Sequence, residues 1–507
     1  MEKLFLTNAE IFDGRSFLKG YSVEIENGVI TWVGSSTEAR YVNSVSHEII
    51  DCDGGLLAPG FIDSHIHLMS LAATLIGWDI SCSNGKGLGA FKRSLNEARL
   101  RVDGSGWIRC YGYDEVLNTG LFNLDRWLID EVIPDRPVKI SYQSGHGHVL
   151  NSAALMCAGI TEESVEPEGG FFQREHSTGQ LNGVMFECEE FLDSRIPRIG
   201  PVAMNKAVAM AGDLLSSNGV TTVVDASFTN DIDRLEHMAL VKRKGLVEAN
   251  VVFMPGVDFV RDFYSDGLRY GTKFGEIWIG PVKIMVTYAE WGFHPCKELL
   301  SSMVYNSHAN GFPVSIHCVE SEVLSLVISI LGEDYLYGDR LEHVACVSEA
   351  HLNDMKARGI FVSTQPSFLY RRGDRYIREL KGMELMNLYR VGSLLSNGIP
   401  VGISSDAPVT PPNPLEILES ALKRTSINGV EFTPNERVKM VDALQMMTST
   451  NALISGLGHL KGEIKVGYDA DLVLLGHDFK ENVPESRVLE SVLMTIISGR
   501  LVYHHLS

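Results

Sequence analysis

From residue 219 onward the chain alternates short apolar runs with longer stretches whose apolar residues recur at helical spacing. The runs are GVTTVVDAS (219–227), ANVVFMPG (249–256), GPVKIMVT (280–287), FPVSIHCVE (312–320), RLEHVACVS (340–348), GIFVSTQPS (359–367) and IPVGISSDAP (399–408). Amphipathic patterns such as VLSLVISIL and VGSLLSNG lie between them. An earlier run closing at His67, within LLAPGFIDSHIHL (56–68), brings the strand candidates to eight. Apolar strands alternating with helices read as parallel strands buried on both faces. Eight of them predict an α/β fold, a (β/α)8 TIM-like barrel over residues 57–459.

The ends of the chain follow another period. KLFLTNAEIF and YSVEIENGVITWVG read as strands, with an Asn27-Gly28 hairpin turn between alternating apolar positions. DADLVLLG, SVLMTIISG and RLVYHH give similar strands at the other end. Residues 1–56 and 460–507 are therefore predicted to build one small composite β-sandwich domain. The barrel count holds only if residues 70–215 are an insertion after the first barrel strand. That segment carries strands of its own, GWIRCYGYDE and RPVKISYQS, and is expected to cap the barrel mouth.

Composition narrows the function classes. A chain of 507 residues, 45% hydrophobic and 21% charged, can bury a core without disulfide or metal staples. Its formal charge is 44 − 64 = −20, which argues against nucleic acid or an anionic membrane as partner. The densest basic stretch, Arg371 to Lys381, is interrupted by Asp374 and Glu379 and reads as a solvated segment. Cysteines at 52, 82, 110, 157, 188, 296, 318 and 346 form no CxxC pair, which fits buried thiols in a reducing compartment. The N-terminus shows no apolar signal region and no stretch approaches 18 apolar residues, so a cytoplasmic protein is expected.

The chemistry concentrates at the ends of the apolar runs. His65 and His67 lie two residues apart on a strand, so both imidazoles face one side. His317 and His343 fall at the carboxyl ends of later runs, where barrel active sites lie. Asp406 ends IPVGISSDAP; the plain alternative to a functional carboxylate there is a cap for the next helix. Lys283 sits between Val282 and Ile284 and either serves the site or snorkels to the strand edge.

APGFIDSHIHL, the lysine on the fourth strand, the histidines on the fifth and sixth, Asp406 on the eighth and the late GEIKVGYDADLVLL together resemble the amidohydrolase superfamily. GHGHVLNSAAL (145–155) and SSDAPVTPPNPLEILESALKR are similar to segments of its amidohydrolase-3 group, the N-substituted formamide deformylase-like hydrolases. The likeness spans essentially the whole chain. It implies a two-metal site in which His65 and His67 hold one ion with Asp406, His317 and His343 hold the other, and Lys283 bridges both. An ammonium cannot bind a cation, so the resemblance further implies a Lys283 carboxylated by carbon dioxide. Desolvation by its apolar neighbours would expose the neutral amine that reacts. The donors suit two zinc ions, with manganese, iron or nickel as substitutes.

The implied activity is hydrolysis of a non-peptide C–N bond, of amide or formamide type, in a small molecule through a metal-bound hydroxide. Asp406 is the expected proton shuttle. His148, or His146, is a candidate to hold the oxyanion or a substrate carboxylate. The alternative is a mononuclear-metal deaminase of a heterocyclic base: His317-Cys318-Val319-Glu320 reads HxxE, with Glu320 moving protons. A non-catalytic relative is a third class, against which all six ligand positions are occupied. If the lysine is unmodified, the site is expected to be mononuclear, or bridged by another carboxylate such as Glu187 of the insertion. Cys318 is adjacent to a ligand candidate but points away by strand alternation. Relatives often form homodimers, although no residue here requires it.

Overall fold

Eight short parallel strands occupy the positions of the eight apolar runs. In chain order they are β1 (Phe61–Ile66), β2 (Val220–Asp225), β3 (Asn250–Phe253), β4 (Val282–Ile284), β5 (Val314–Cys318), β6 (Arg340–His343), β7 (Phe361–Thr364) and β8 (Val401–Ile403). These come from a computed structural model that describes residues 3–35, 48–81, 87–101, 106–114, 123–143, 145–167, 169–289, 292–476 and 492–505. Cys82 and part of the C-terminal strand region lie outside them. Strands rich in Val and Ile, buried nearly end to end, are what a sheet covered on both faces requires.

β1, β2 and β3 pair in parallel in one sheet, with Ile277–Ile279 parallel beyond β3. β4 to β8 pair in parallel, in order, in a second. Isolated parallel bridges link the two at both edges, Ile66 with Ala407 and Gly256 with Lys283. Asp406 N donates to His65 O at 2.9 Å and His67 N to Ala407 O at 2.8 Å, which brings the ends of β1 and β8 together. Helices follow the strands. Glu349–Arg358, after β6, starts on a Ser348–His351 capping box and stops at Gly359, whose φ of 70° suits glycine.

The two ends of the chain form one eight-stranded sheet, containing Lys3–Phe12, Phe17–Glu26, Val29–Ser35, Leu56–Pro59, Leu472–Leu475, Val492–Ile497 and Arg500–His504 in its main path and Glu48–Asp51 beside Lys3–Phe12. Asn27 and Gly28 both have positive φ at the hairpin between the second and third of these. In its hydrogen bonding the expected sandwich is a single sheet. Its core packs Leu6, Ile11, Val23, Leu57, Leu472 and Ile496.

The described residues divide into two compact units, 1–68 with 212–507, and 69–211. The second unit holds a six-stranded sheet that includes Ile108–Tyr113, Val138–Tyr142, Gly147–Leu150 and Leu181–Phe186. Asn151 in its GHGHVLN segment is structural: it caps Ser152–Cys157 and donates to the carbonyls of Ile133 and Arg136. The basic stretch runs along helix Ser367–Glu379 to Lys381 just beyond it; Arg378 and Lys381 are exposed, as a solvated segment requires, and the half-exposed Arg371 forms a two-pronged pair with Glu416. Among the described residues seven cysteines are free, and no helix is long and apolar enough to cross a membrane.

Candidate metal centre

The site grows from the end of β1. Asp63 faces the β8 side, where its carboxylate accepts from Ser405 N at 3.1 Å and Ser405 Oγ at 2.5 Å. His65, two residues on, is buried with its Nε2 3.5 Å from Asp406 Oδ1. His67 Nε2 lies 3.2 Å from the same oxygen, and His343 Nδ1 lies 4.0 Å from Asp406 Oδ2. His65, His343 and Asp406 form a group able to share one ion. The ring of His317, on β5, stands edge-on to His343 with centroids 4.5 Å apart.

Neighbouring groups fix which nitrogen each ring presents. His65 Nδ1 is 2.5 Å from Glu342 Oε2, His67 Nδ1 is 3.2 Å from Ser227 Oγ, and His343 Nδ1 is 2.8 Å from Gln365 Oε1. His65 and His67 thus engage Nδ1 and turn Nε2 toward Asp406, the arrangement that metal-binding histidines adopt, while His343 Nδ1 faces Gln365 and, at 4.0 Å, Asp406. His343 and Asp406 have φ values of 68° and 57°, a costly backbone region for side chains of this size. The positive φ falls on the last residue of β6, His343, and on Asp406 beyond β8; with it His343 reaches the cluster although its neighbour Glu342 bonds His65, which regular alternation does not give.

Burial governs the electrostatics. Desolvation, reinforced by Lys283, takes the His65 pKa down to about 3, so the ring is neutral and able to donate a lone pair. Burial also lowers the Lys283 ammonium pKa, against the pull of Glu342 and Asp406. For Asp406 burial pushes upward, but the His65, His67 and His343 rings outweigh it and hold the carboxyl well below its usual range. A buried carboxylate facing buried imidazoles calls for a cation.

The donor set fits a divalent metal. Asp406 Oδ1 is buried and has no hydrogen bond of acceptable geometry, although two ring nitrogens converge on it. Two donors about 2.1 Å from a tetrahedral ion stand roughly 3.4 Å apart, close to the 3.2 and 3.5 Å found here. Nitrogen and carboxylate donors suit zinc and its neighbours.

Residues that the sequence reading missed complete the centre. Glu342 is fully buried; it accepts from Arg340 Nε at 2.5 Å and from Ser315 Oγ, while Arg340 Nη2 donates to Ser64 O at 2.9 Å. A signal for this pair existed: Arg340 and Glu342 are opposite charges two residues apart within an apolar strand. Gln365 carried no comparable signal. Cys318 is buried facing away from solvent, and burial raises its thiol pKa well above the usual value. Glu320 stands at the N-cap of Ser321–Glu333 and makes no side-chain capping bond. His146, His148 and Glu187 belong to the 69–211 unit, with His148 held on Ser141 Oγ at 3.0 Å.

Comparison with known proteins gives the family and the fold. The model of a family described as "Amidohydrolase family" matches residues 48–503. The N-substituted formamide deformylase of Arthrobacter pascens is 26% identical, covering 99% of this chain and 98% of its own. Protein LONG AFTER FAR-RED 3 of Arabidopsis thaliana is also 26% identical, over 99% and 91%. Among solved structures, an uncharacterized metal-dependent hydrolase from Pyrococcus horikoshii OT3 shares the fold, with a TM-score of 0.76 at 21% identity, over 94% of this chain and 98% of its own.

Proposed function

The chain belongs to the amidohydrolase family, and from that premise we propose that it hydrolyses a non-peptide C–N bond, of amide or formamide type, in a small molecule. One observation carries the reading: Asp406 Oδ1, buried and unbonded, is the point on which His65 and His67 converge. On this reading the bridges Ile66–Ala407 and Gly256–Lys283 close the eight parallel strands into a barrel. His65, His67 and Asp406 would hold one divalent ion, and His317 and His343 a second. Lys283, once carboxylated, would lie between them. Its burial among Val282, Ile284 and the site residues supports that role, because the neutral amine is the form that takes up carbon dioxide.

Bound there, divalent metal supplies Lewis acidity toward a carbonyl and acidifies a water for attack. The protein's own residues do the rest. Asp406 accepts the proton of the attacking water and delivers it to the leaving nitrogen. Glu342, Ser227 and Gln365 hold the three imidazoles in orientation. His148 was a candidate for the oxyanion; its Nε2 is turned toward Glu189 Oε1 at 3.5 Å, and catalysis is assigned to Asp406 alone.

The test is metal analysis of protein purified without chelator, with a screen of N-substituted formamides and small amides. Hydrolysis that disappears with metal in His65→Ala and His67→Ala supports the reading. One bound metal with ammonia release from heterocycles would transfer the chain to the deaminases, with Glu320 as proton carrier.

A further inference from the structure

Helix Ser367–Glu379, which follows β7, carries most of the basic stretch, and one of its half-buried cations lacks an anionic partner. Arg371 is taken by Glu416 and Arg375 by Glu379. Arg372 has neither an ion pair nor a hydrogen bond among the described residues; its guanidinium carbon lies 4.8 Å from the centre of the Phe368 ring. A guanidinium stacked on a ring keeps its edge N–H groups free, and these form a fork that matches a carboxylate.

Spaced by four residues, Phe368, Arg372 and Tyr376 share one helix face. Phe368 and Tyr376 both meet the Tyr389 ring, with centroids 5.8 and 6.2 Å from it. These three aromatic residues belong to an apolar cluster with Val319, Ala345 and Val409, which follow His317, His343 and Asp406 by two or three residues. Ser367 Oγ and Thr410 Oγ1, 3.2 Å apart, tie the start of the helix to the segment after Asp406. The cluster therefore walls the carboxyl ends of β5, β6 and β8, and Arg372 stands in that wall.

Two features of Tyr389 point to a ligand there. Its φ is 42°, a region that a bulky residue adopts only where packing enforces it and that gathers at binding sites. The fully buried Arg424 enforces it, donating to the carbonyls of Leu388 and Tyr389 and to Thr433 Oγ1. Tyr389 is also 2% exposed, and its hydroxyl meets only that of Tyr376, at 3.3 Å. Two phenols in one mutual bond leave one O–H proton over, on the same face as the unpaired guanidinium. Burial, and Tyr376 after it, raise the Tyr389 pKa well above its usual value; smaller influences from Arg372, which lowers it, and Asp406, which raises it, put the phenol within electrostatic range of both. Donors without a carboxylate of the chain to receive them call for a ligand that brings oxygen acceptors and negative charge.

We propose that Arg372, with the Tyr376–Tyr389 hydroxyl pair, binds a carboxylate of the substrate, whose apolar part lies against Phe368 and Tyr389. The substrate class is then a small formamide or amide bearing a carboxylate, one charge for one guanidinium; the second charge of a phosphate would lack a partner. This assignment rests on the hydrolase reading, whose substrate class it narrows.

The test uses the full chain purified without chelator. N-formylglycine, N-formyl-β-alanine and N-formylphenylalanine are each compared with the neutral alcohol that replaces the carboxylate. The expected result is a kcat/KM at least about tenfold higher for the carboxylate member of a pair, the scale of a charge-assisted hydrogen bond. That preference is expected to fall at least about tenfold in Arg372→Met, through KM, and to be partly kept in Arg372→Lys, which retains the charge without the fork. Titration calorimetry with phenylacetate reads the same site without turnover, and its binding is expected to weaken at least about tenfold in Arg372→Met. Metal content and melting temperature of each variant separate ligand loss from misfolding. Neutral members hydrolysed as well as their carboxylates, a preference unchanged in Arg372→Met, or phenylacetate binding that is absent or indifferent to Arg372 overturns the proposal and leaves the hydrolase reading standing. Failure of that reading shows differently, as protein without metal that hydrolyses no formamide or amide of either kind.

Discussion

Replacing Glu342 by Gln removes one negative charge and almost no volume from the interior, and its consequences can be worked from the contacts. Glu342 faces Arg340 Nε at 2.5 Å and His65 Nδ1 at 2.5 Å, with every partner buried. Removing one member of a buried ion pair leaves the other unpaired, which typically costs 3–5 kcal/mol of about 5–15 kcal/mol total stability. Arg340 keeps bonds to Ser64 O at 2.9 Å and Ile454 O at 3.3 Å, so about 3 kcal/mol is expected. The second consequence is for the metal. A Gln amide turned toward His65 drives the ring into the tautomer that points a proton from Nε2 at Asp406. Loss of such an orienting carboxylate weakens metal binding about 10–100-fold, or roughly 1.4–2.8 kcal/mol. Urea unfolding reads the first effect and chelator competition the second. The sign with pH follows from burial being outweighed by Arg340 and His65, which hold Glu342 well below 4.5. The charged form therefore stabilises the fold at and above pH 4.5, and that contribution is lost as pH falls below it. Wild type and Glu342→Gln should differ fully at pH 7 and converge in acid. Equal stability at pH 7 with unchanged metal affinity would refute the argument.

Three further outcomes are expected. Asp406→Asn should keep the fold and lose at least about 10²-fold in kcat, read with any hydrolysed amide; unchanged turnover moves the proton shuttle elsewhere. Lys283→Ala should lower metal content below that of wild type, with partial rescue by formate, and reconstitution of apo-protein should depend on bicarbonate; an unmodified Lys283 in the mass of fully metallated, active enzyme refutes carboxylation. Gly402→Ala should destabilise the fold by about 1–3 kcal/mol in urea unfolding, because a Cβ there would meet Asn451 Oδ1 at 1.9 Å and disturb the residue that ties Ile62 O to Ile403 O; a neutral result means Asn451 can shift without loss.

What the residue order alone determined is the strand pattern and the HxH pair, together with a set of candidate donors. Polar or charged residues set within apolar runs pointed to Lys283, His317, His343 and Asp406 as candidates from the residue order alone, and Asn27-Gly28 pointed to a turn. Local period says nothing about which strand edges meet. Tertiary structure decided the order in which the terminal strands pair and that β1 and β8 adjoin through Ala407. It also decided which nitrogen each imidazole presents, because Glu342, Ser227 and Gln365 are 277, 160 and 22 residues from the rings they hold. Positive φ at His343 and Asp406 breaks the alternation on which sequence reasoning depends, and only the surrounding packing can hold that strain. Donor identity is a property of single residues; their convergence depends on contacts between distant parts of the chain, which no local pattern encodes.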